Sequence, residues 1–186
     1  MKQPKAKAPA WATGFPPVEP RRARVLILGT LPSAESIRQG QYYAHPRNCF
    51  WQIMGDLYGA GRSWAYAVRL RRLAACGVML WDVLHAAHRP GSLDSDIHPR
   101  RLIPNDIPAL LRRHPGLKRI AFNGSSAADL FRRHVAPRCN RLLNGVELVR
   151  LPSTSPAHAS RTYARKLAAW RTALAGPELA AARPPD

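Results

Sequence analysis

Short apolar runs recur along the chain and are separated by segments whose apolar residues have helical spacing. Four short, largely apolar runs read as strands, namely 25–28, 78–81, 119–122 and 146–149, and the first of them is typical of a buried parallel strand. The helical patterns lie at about 48–57, 63–75, 102–113, 128–135 and 160–175. This alternation predicts an α/β protein with three layers, α/β/α, around a central four-stranded, mainly parallel sheet.

The two ends of the chain lack this pattern. Residues 1–20 hold five prolines and little periodicity, which predicts a flexible basic arm. Residues 176–186 read as a short tail, so a single domain is expected over 21–175. The N-terminus has no apolar segment of signal-peptide length, and no apolar run is long enough to span a membrane. A cytoplasmic protein with no membrane partner is therefore expected.

Charge adds the first indication of a partner. The chain carries 29 Lys and Arg against 11 Asp and Glu, a formal net charge of +18. Such an excess predicts a strong positive potential and an affinity for polyanions, with nucleic acid as the expected partner. Nothing in the sequence indicates oligomerisation, so a monomer is expected.

Cysteine and histidine positions do not favour a metal site. Cys49, Cys76 and Cys139 are widely separated and include no CxxC pair, which argues against a zinc ribbon, an iron–sulfur cluster or a disulfide framework. Five further histidines follow no metal-ligand spacing: His85, His88, His98, His114 and His134. No metal and no cofactor are predicted.

Two unusual loops follow predicted strands. The first is Gly29–Trp51, GTLPSAESIRQGQYYAHPRNCFW, and the second is Leu151–Ser160, LPSTSPAHAS. Ligands of parallel α/β sheets bind at the carboxyl ends of the strands, where both loops begin. Each loop has a Pro-Ser pair whose backbone amides and hydroxyls can contact phosphate.

These motifs resemble the uracil-DNA glycosylase superfamily, and most closely its hypoxanthine (deoxyinosine) DNA glycosylase family. The resemblance rests on GTLPS after the first strand, QYYAHPRN followed by Phe50-Trp51, and LPSTSP after the fourth strand. The segment HPRNCFW is also similar to mismatch-specific uracil and thymine glycosylases. The resemblance covers about residues 15–175 and implies an enzyme that flips a damaged base into a pocket.

The resemblance implies that Asn48 is the catalytic residue, because the family assigns that role to the Asn of its HPRN-type motif. The usual catalytic Asp or Asn of the superfamily is replaced here by Leu31, and a His that stabilises the departing base is replaced by Leu151. Cleavage passes through an oxocarbenium-like sugar. A carboxamide can hold a water and direct its carbonyl dipole at that charge. Without the motif, Asn48 reads as a helix N-cap.

Several residues are expected around the base. Phe50 resembles the aromatic that stacks on the flipped base, with core packing as the alternative, whereas Trp51 reads as core. Tyr43 is a candidate pocket wall, with an exposed loop aromatic as the alternative. Asp82 can accept a hydrogen bond from the N–H of a deaminated base, or it serves as a cap or salt bridge. Thr30 and Leu31, at the end of the first strand, complete the predicted base site.

The remaining candidates are expected to contact the DNA backbone, because they lie in the two loops or at the start of the last helix. They are Ser33, His45, Arg47, Ser153, Thr154, Ser155, His158 and Arg161. A polar turn is the alternative for each residue of the second loop, and His45 can instead shape the first loop. Neither motif contains a lysine, so Schiff-base lyase chemistry is not predicted.

The sequence therefore predicts a monofunctional DNA glycosylase that excises hypoxanthine and leaves an abasic site. A uracil or mismatch glycosylase is the alternative within the class, although Leu31 argues against its standard form. A non-catalytic lesion sensor with the same fold is the alternative from another class. A phosphate-binding metabolic enzyme is disfavoured, because the chain has neither GxGxxG nor a P-loop lysine.

Overall fold

The structure is a computed structural model that describes residues 11–174. Its strands are β1 (Trp11–Thr13), β2 (Val25–Gly29), β3 (Val78–Asp82), β4 (Leu84–His88), β5 (Leu102–Pro104), β6 (Arg119–Asn123) and β7 (Glu147–Leu151). Its helices are α1 (Ala34–Gln39), α2 (Phe50–Tyr58), α3 (Tyr66–Ala75), α4 (Ile107–Arg113), α5 (Ser125–Leu130), α6 (Ala136–Cys139) and α7 (Tyr163–Leu174). A π-helical turn, Phe131–Val135, joins α5 to α6.

The central sheet confirms the predicted fold class. Four parallel strands pair in the order β3-β2-β6-β7, and β2 and β3 are buried along their full length. One face is covered by α2, α3 and α7, whose buried aromatic residues include Phe50, Trp51 and Trp170. The other face is covered by α4, α5 and α6, with Leu110 and Phe131 in its core. Helices on both faces make the three layers.

A second, smaller sheet was not predicted. Strands β1, β4 and β5 form an antiparallel sheet in the order β1-β4-β5. Strand β4, LHAAH, is short and weakly apolar, and β5 has only three residues, so neither gives a clear pattern. The helix expected from about residue 102 begins at Ile107, because β5 occupies Leu102–Pro104.

The boundary of the N-terminal arm also needs correction. The sequence predicts residues 11–20 as part of a flexible arm, but Trp11–Thr13 pairs with β4 and Val18 forms an antiparallel bridge with Leu80. The Trp81 indole N–H donates to the Phe15 carbonyl at 3.0 Å. This stretch is therefore part of the domain. The rest of the predicted arm, 1–10, and the predicted tail, 176–186, lie outside the described residues.

Candidate active site

A pocket of about 310 Å³ lies at the carboxyl ends of the parallel strands. Strand β2 pairs with β3 on one side and β6 on the other, so the pocket lies where the connections leave in opposite directions, the usual ligand position in such sheets. Both unusual loops contribute to it. The predicted site residues that line it are Thr30, Leu31, Ser33, Tyr43, Asn48, Asp82, Ser153, Thr154, Ser155 and His158.

Asp82 reaches the pocket as the last residue of β3, directly opposite Gly29 in the sheet register. A Cβ at Gly29 would lie 2.4 Å from Asp82 Oδ1 and 3.0 Å from the Tyr43 hydroxyl, so another residue here would displace the Asp82 carboxylate. The side chain of Asp82 is buried and its Oδ2 has no hydrogen-bond partner among the described residues. The pKa of Asp82 is raised to about 8, mainly by burial and further by the charge of the nearby Asp94, with Arg89 opposing the shift. At neutral pH this carboxyl group is mainly protonated.

Asn48 combines a pocket position with a structural hydrogen bond. Its Oδ1 accepts from the Phe50 backbone N–H at 3.0 Å, which satisfies a donor at the start of α2. The side chain is half-buried and lines the pocket. The capping role expected for an isolated Asn and the pocket position expected from the motif are thus both present. A carbonyl oxygen has two lone pairs, so this bond leaves one acceptor site on Oδ1.

Arg62 fastens the backbone around Asn48. Its Nη2 donates to the carbonyl oxygens of His45 at 2.7 Å and Asn48 at 2.9 Å, with a longer contact to that of Tyr43 at 3.4 Å. One guanidinium therefore gathers three carbonyls of a loop without regular secondary structure. The loop is held in place before any ligand arrives.

Tyr43 lines the pocket, as expected for a pocket wall, whereas Phe50 does not. Phe50 is fully buried and does not line the pocket, and its ring stacks on Tyr43 with centroids 3.9 Å apart. This corrects the expectation that Phe50 faces the base and favours its core-packing alternative. Tyr43 has a φ of 54°, a conformation uncommon outside glycine. That backbone turn sends its ring over Phe50 and into the pocket wall.

The hydroxyl of Tyr43 is a second buried polar atom in the pocket. It lies near the Asn123 side chain but makes no hydrogen bond of good geometry. Burial raises the pKa of Tyr43, and the Asp82 carboxyl raises it further, so the hydroxyl stays protonated. Tyr43 and Asp82 thus present neighbouring polar groups that the described residues leave unpaired.

The second loop is tied to the rest of the pocket through Thr154. The Asn123 side chain accepts from the Thr154 N–H and donates to its Oγ1, both at 2.9 Å. The Cys49 N–H donates to the Thr154 carbonyl at 3.1 Å, which joins the two loops directly. Lys166 donates to the His158 carbonyl at 2.8 Å. These bonds place Ser153, Ser155 and His158 at the pocket edge.

Four predicted site residues do not line the pocket. Phe50 is buried, as described above, whereas Arg47 and Arg161 are exposed and His45 is half-buried. The His45 Nδ1 accepts from the Arg47 N–H at 3.2 Å. Because contacts to phosphate are made outside a base pocket, the backbone role of His45, Arg47 and Arg161 stays a prediction. Leu151, at the position of the superfamily His, is buried in the core.

The pocket also contains residues that the sequence did not single out. Asp94 lies in a short 3₁₀ turn, Asp94–Asp96, between β4 and β5, and its Oδ2 accepts from Thr30 Oγ1 at 2.7 Å. Arg89 is not among the lining residues, but it is buried and donates to the carbonyl of Pro32, which lines the pocket, at 2.5 Å. Asn123 ends β6. The sequence contained one signal for Asp94. The chain has only 11 Asp and Glu, so each carboxylate is a candidate for a specific role.

Residues 11–174 contain neither a metal-binding cluster nor a membrane-spanning helix. No group of three or more His, Cys, Asp or Glu side chains in this part of the chain is arranged to hold a metal ion. None of its helices combines the length and hydropathy needed to cross a membrane.

Comparison with known proteins identifies the family. Residues 16–175 match the family model of the uracil DNA glycosylase superfamily. The chain belongs to the uracil-DNA glycosylase superfamily. Two curated superfamily relatives, from Methanosarcina acetivorans and Methanosarcina barkeri, are named hypoxanthine DNA glycosylase. They are 42% and 39% identical over 117 residues, which is 62% of this chain and 73% of each relative.

A solved superfamily structure is similar as well. It is a solution NMR structure from Methanosarcina acetivorans of a protein named as a candidate uracil DNA glycosylase. The TM-score is 0.70 at 36% sequence identity, covering 87% of this chain and 95% of the other. The family resemblance and the fold class expected from the sequence are both confirmed.

Proposed function

We propose that this superfamily member is a DNA repair glycosylase that excises hypoxanthine from deoxyinosine and leaves an abasic site. The observation that carries the proposal is the unpaired Asp82 carboxyl group, buried in a pocket that both motif loops line. The names of the two Methanosarcina relatives support the same substrate.

Asp82 suits the edge of a deaminated base. Hypoxanthine presents an N–H donor beside a carbonyl acceptor. A protonated carboxyl group can accept from the first through its carbonyl oxygen and donate to the second through its hydroxyl. Burial keeps Asp82 mainly in this neutral form at pH 7. Pairing with the base would satisfy an oxygen that is otherwise buried without a partner, so binding removes a cost already present in the free protein.

Asn48 is the proposed catalytic residue. As the bond between N9 and C1′ breaks, positive charge develops on the sugar and negative charge on the base. The remaining lone pair of Asn48 Oδ1 can orient the attacking water and face the sugar charge, while the bond from the Phe50 N–H keeps the side chain in one orientation. The lactam of hypoxanthine carries negative charge better than adenine does. A site with modest catalytic groups therefore suits the deaminated base.

DNA is the proposed partner of the surface around the pocket. The net charge of +18 favours phosphate contacts. Ser33, Ser153, Thr154, Ser155 and His158 edge the pocket, and His45, Arg47 and Arg161 are the proposed contacts outside it. We propose a monomer that acts in the cytoplasm on chromosomal DNA and needs neither metal nor organic cofactor.

Base excision by the purified protein tests this function. Matched duplexes carry one inosine, uracil or xanthine, or no lesion, and EDTA is present; alkali then cuts abasic sites. We expect cleavage at inosine and a loss of about 100-fold or more in Asn48→Ala, the scale seen when one transition-state contact is removed. DNA affinity should stay within about threefold in the same variant, because Asn48 is proposed to act in chemistry.

Asn144→Ala is the matched control, because Asn144 is exposed in the turn before β7 and lies outside the pocket. It should cleave inosine like the wild type. Tight DNA binding with no cleavage of any lesion would overturn the enzyme and indicate a lesion sensor.

Uracil is the second candidate substrate, and a specific observation favours it. Its N3–H and O4 form the same donor–acceptor edge that Asp82 can pair with. The match to the uracil DNA glycosylase superfamily model points the same way. Cleavage confined to the uracil duplex would keep the class and replace hypoxanthine as the substrate.

A further inference from the structure

Hydrolysis of the glycosidic bond needs a group that can accept a proton from the attacking water. Asn48 can orient a water but cannot take its proton at neutral pH. Leu31 also lines the pocket, and its side chain has no polar atom. Among the described pocket-lining residues, the carboxyl and imidazole groups belong to Asp82, Asp94 and His158. A proton acceptor within the pocket has to come from this short set.

Asp94 is held at the pocket by the strand that begins the first motif. Its Oδ2 accepts from Thr30 Oγ1 at 2.7 Å, a contact between residues 64 positions apart in sequence. Thr30 directly follows β2 and is itself buried. This hydrogen bond ties the carboxylate to the edge of the central sheet, next to Leu31.

The turn that carries Asp94 is also anchored. Asp96 Oδ2 accepts from the Leu93 N–H at 3.0 Å, which closes the turn on itself. Ser92 Oγ accepts from the Ala34 N–H at 3.2 Å, which fixes the turn to the start of α1. A connection between two short strands is thereby positioned over the pocket. Such positioning is what a general base requires.

The electrostatic surroundings separate the two carboxyl groups into different roles. Burial raises the pKa of Asp82 to about 8, so this group is mainly a neutral acid at pH 7. Desolvation, the largest influence, raises the pKa of Asp94 above its ordinary value, and the hydrogen bond from Thr30 and the charge of Arg89 limit that rise. Asp94 thus has partners that favour a carboxylate, whereas Asp82 Oδ2 has none among the described residues. Two carboxyl groups held in unlike surroundings are a recurring acid–base arrangement.

We propose that Asp94 is a second catalytic residue, the general base that takes a proton from the attacking water. The water oxygen forms a bond to C1′ as the bond from C1′ to N9 breaks. The electron pair of the broken bond leaves with the base, and the water proton passes to the Asp94 carboxylate. The released base then takes up a proton from Asp94 or from solvent, which restores the carboxylate. This inference rests on the proposed hypoxanthine glycosylase function.

Chemical rescue is the test, measured as single-turnover excision from an inosine duplex. Asp94→Ala should lose about 100-fold or more in rate, within the range typical of a general base. Sodium formate should restore at least about tenfold, compared with sodium chloride at equal ionic strength, because formate supplies a small carboxylate to the space left by the side chain. Asn48→Ala should not respond to formate. Asp94→Asn, which keeps the size of the side chain, should be as slow as Asp94→Ala.

Asp96→Asn is the matched control. It removes one negative charge from the same turn and keeps the oxygen that accepts from the Leu93 N–H, and Asp96 does not line the pocket. Its rate should stay within about threefold of wild type. Equal losses in Asp94→Asn and Asp96→Asn, or a formate response in His158→Ala and none in Asp94→Ala, would overturn the inference. If the wild type excises inosine and Asp94→Asn excises it at the same rate, the inference is overturned while the proposed function stands.

Discussion

The aromatic cluster of Phe50, Trp51 and Trp170, beneath α2 and α7, lies beside the pocket. The two regions differ in whether their buried polar atoms have hydrogen-bond partners. In the cluster, Trp51 donates its indole N–H to the Tyr42 carbonyl at 2.8 Å, and Trp170 donates to that of Pro152 at 3.0 Å. Every polar atom of these two buried side chains is thus paired. In the pocket, the Tyr43 hydroxyl and Asp82 Oδ2 are buried without good partners.

The difference shows where the molecule has given up stability. An unpaired buried polar group costs free energy, so nearly all such groups in folded proteins are satisfied. Two of the buried side-chain atoms without a partner among the described residues, the Tyr43 hydroxyl and Asp82 Oδ2, stand together where β2 and β3 end; the others belong to Arg69, His88 and Arg89. The two indoles stabilise the fold through paired polar atoms, whereas the pocket holds two neighbouring unpaired oxygens that a ligand can satisfy.

The largest effect should come from the cluster. Phe50→Ala should lower the free energy of unfolding by about 3–5 kcal/mol, because Phe50 is fully buried among other rings. Urea denaturation followed by tryptophan fluorescence measures this loss. A loss below about 1 kcal/mol together with a selective loss of base excision would break the comparison, since Phe50 would then belong to the pocket.

A smaller effect is expected at Asp82. Asp82→Ala should slow inosine excision by roughly 10- to 100-fold, corresponding to the loss of one or two hydrogen bonds to the base. In the wild type the rate should fall as pH rises through about 8, because ionised Asp82 can no longer donate to the base carbonyl. Asp82→Asn keeps a donor and an acceptor without titrating, so its rate should remain flat over this range. Pre-steady-state rates between pH 6 and 9.5 provide the measurement.

The same pKa determines the sign of a stability effect. The Asp82 pKa rises from 3.8 to about 8 on folding, so between these values the folded protein keeps a proton that the unfolded chain releases. Wild-type stability should therefore decrease as pH rises from about 4 to 8. Asp82→Asn should remove this slope. An unchanged slope would show that Asp82 is not the buried acid described here.

The smallest effect should be at Tyr43. Tyr43→Phe removes a hydroxyl that is buried without a well-formed hydrogen bond, so the free energy of unfolding should rise by at most about 1 kcal/mol. The stack on Phe50 is retained, which makes the change specific to the oxygen. Thermal unfolding with and without an inosine duplex measures the change in stability of the free and the DNA-bound protein. A destabilised variant would mean that the hydroxyl contributes to the fold, which would weaken the contrast with the cluster.

The central fold could be predicted because β2 and β3 are buried along their full length and β6 is buried at its centre. The run at 25–28 is apolar throughout and 119–122 is apolar after Arg119, and each corresponds to a strand extended by one residue in the structure. The small sheet was not readable, since β1 has three residues and pairs with a strand more than 70 positions away. This sheet forms only through tertiary pairing of distant segments, so the local sequence pattern gives little indication of it.

The candidate site divides in the same way. Residues of the two motif loops lie together because parallel strands bring their carboxyl ends to one edge, as expected from the sequence. Two features could not be predicted. The positive φ of Tyr43 decides which aromatic ring reaches the pocket, and the contact between Thr30 and Asp94 joins distant segments. Neither depends on spacing within a motif.

Trp51 and Trp170 link the evolution of the active-site loops to two residues in the core of the protein. Each indole holds one motif loop by a carbonyl, although the pocket-lining residues include neither tryptophan. Phenylalanine would fill most of the same volume but has no N–H to donate. Natural selection on base excision should therefore act on positions that look like ordinary core, and genetic drift at Trp51 or Trp170 would be limited by a hydrogen bond as well as by space.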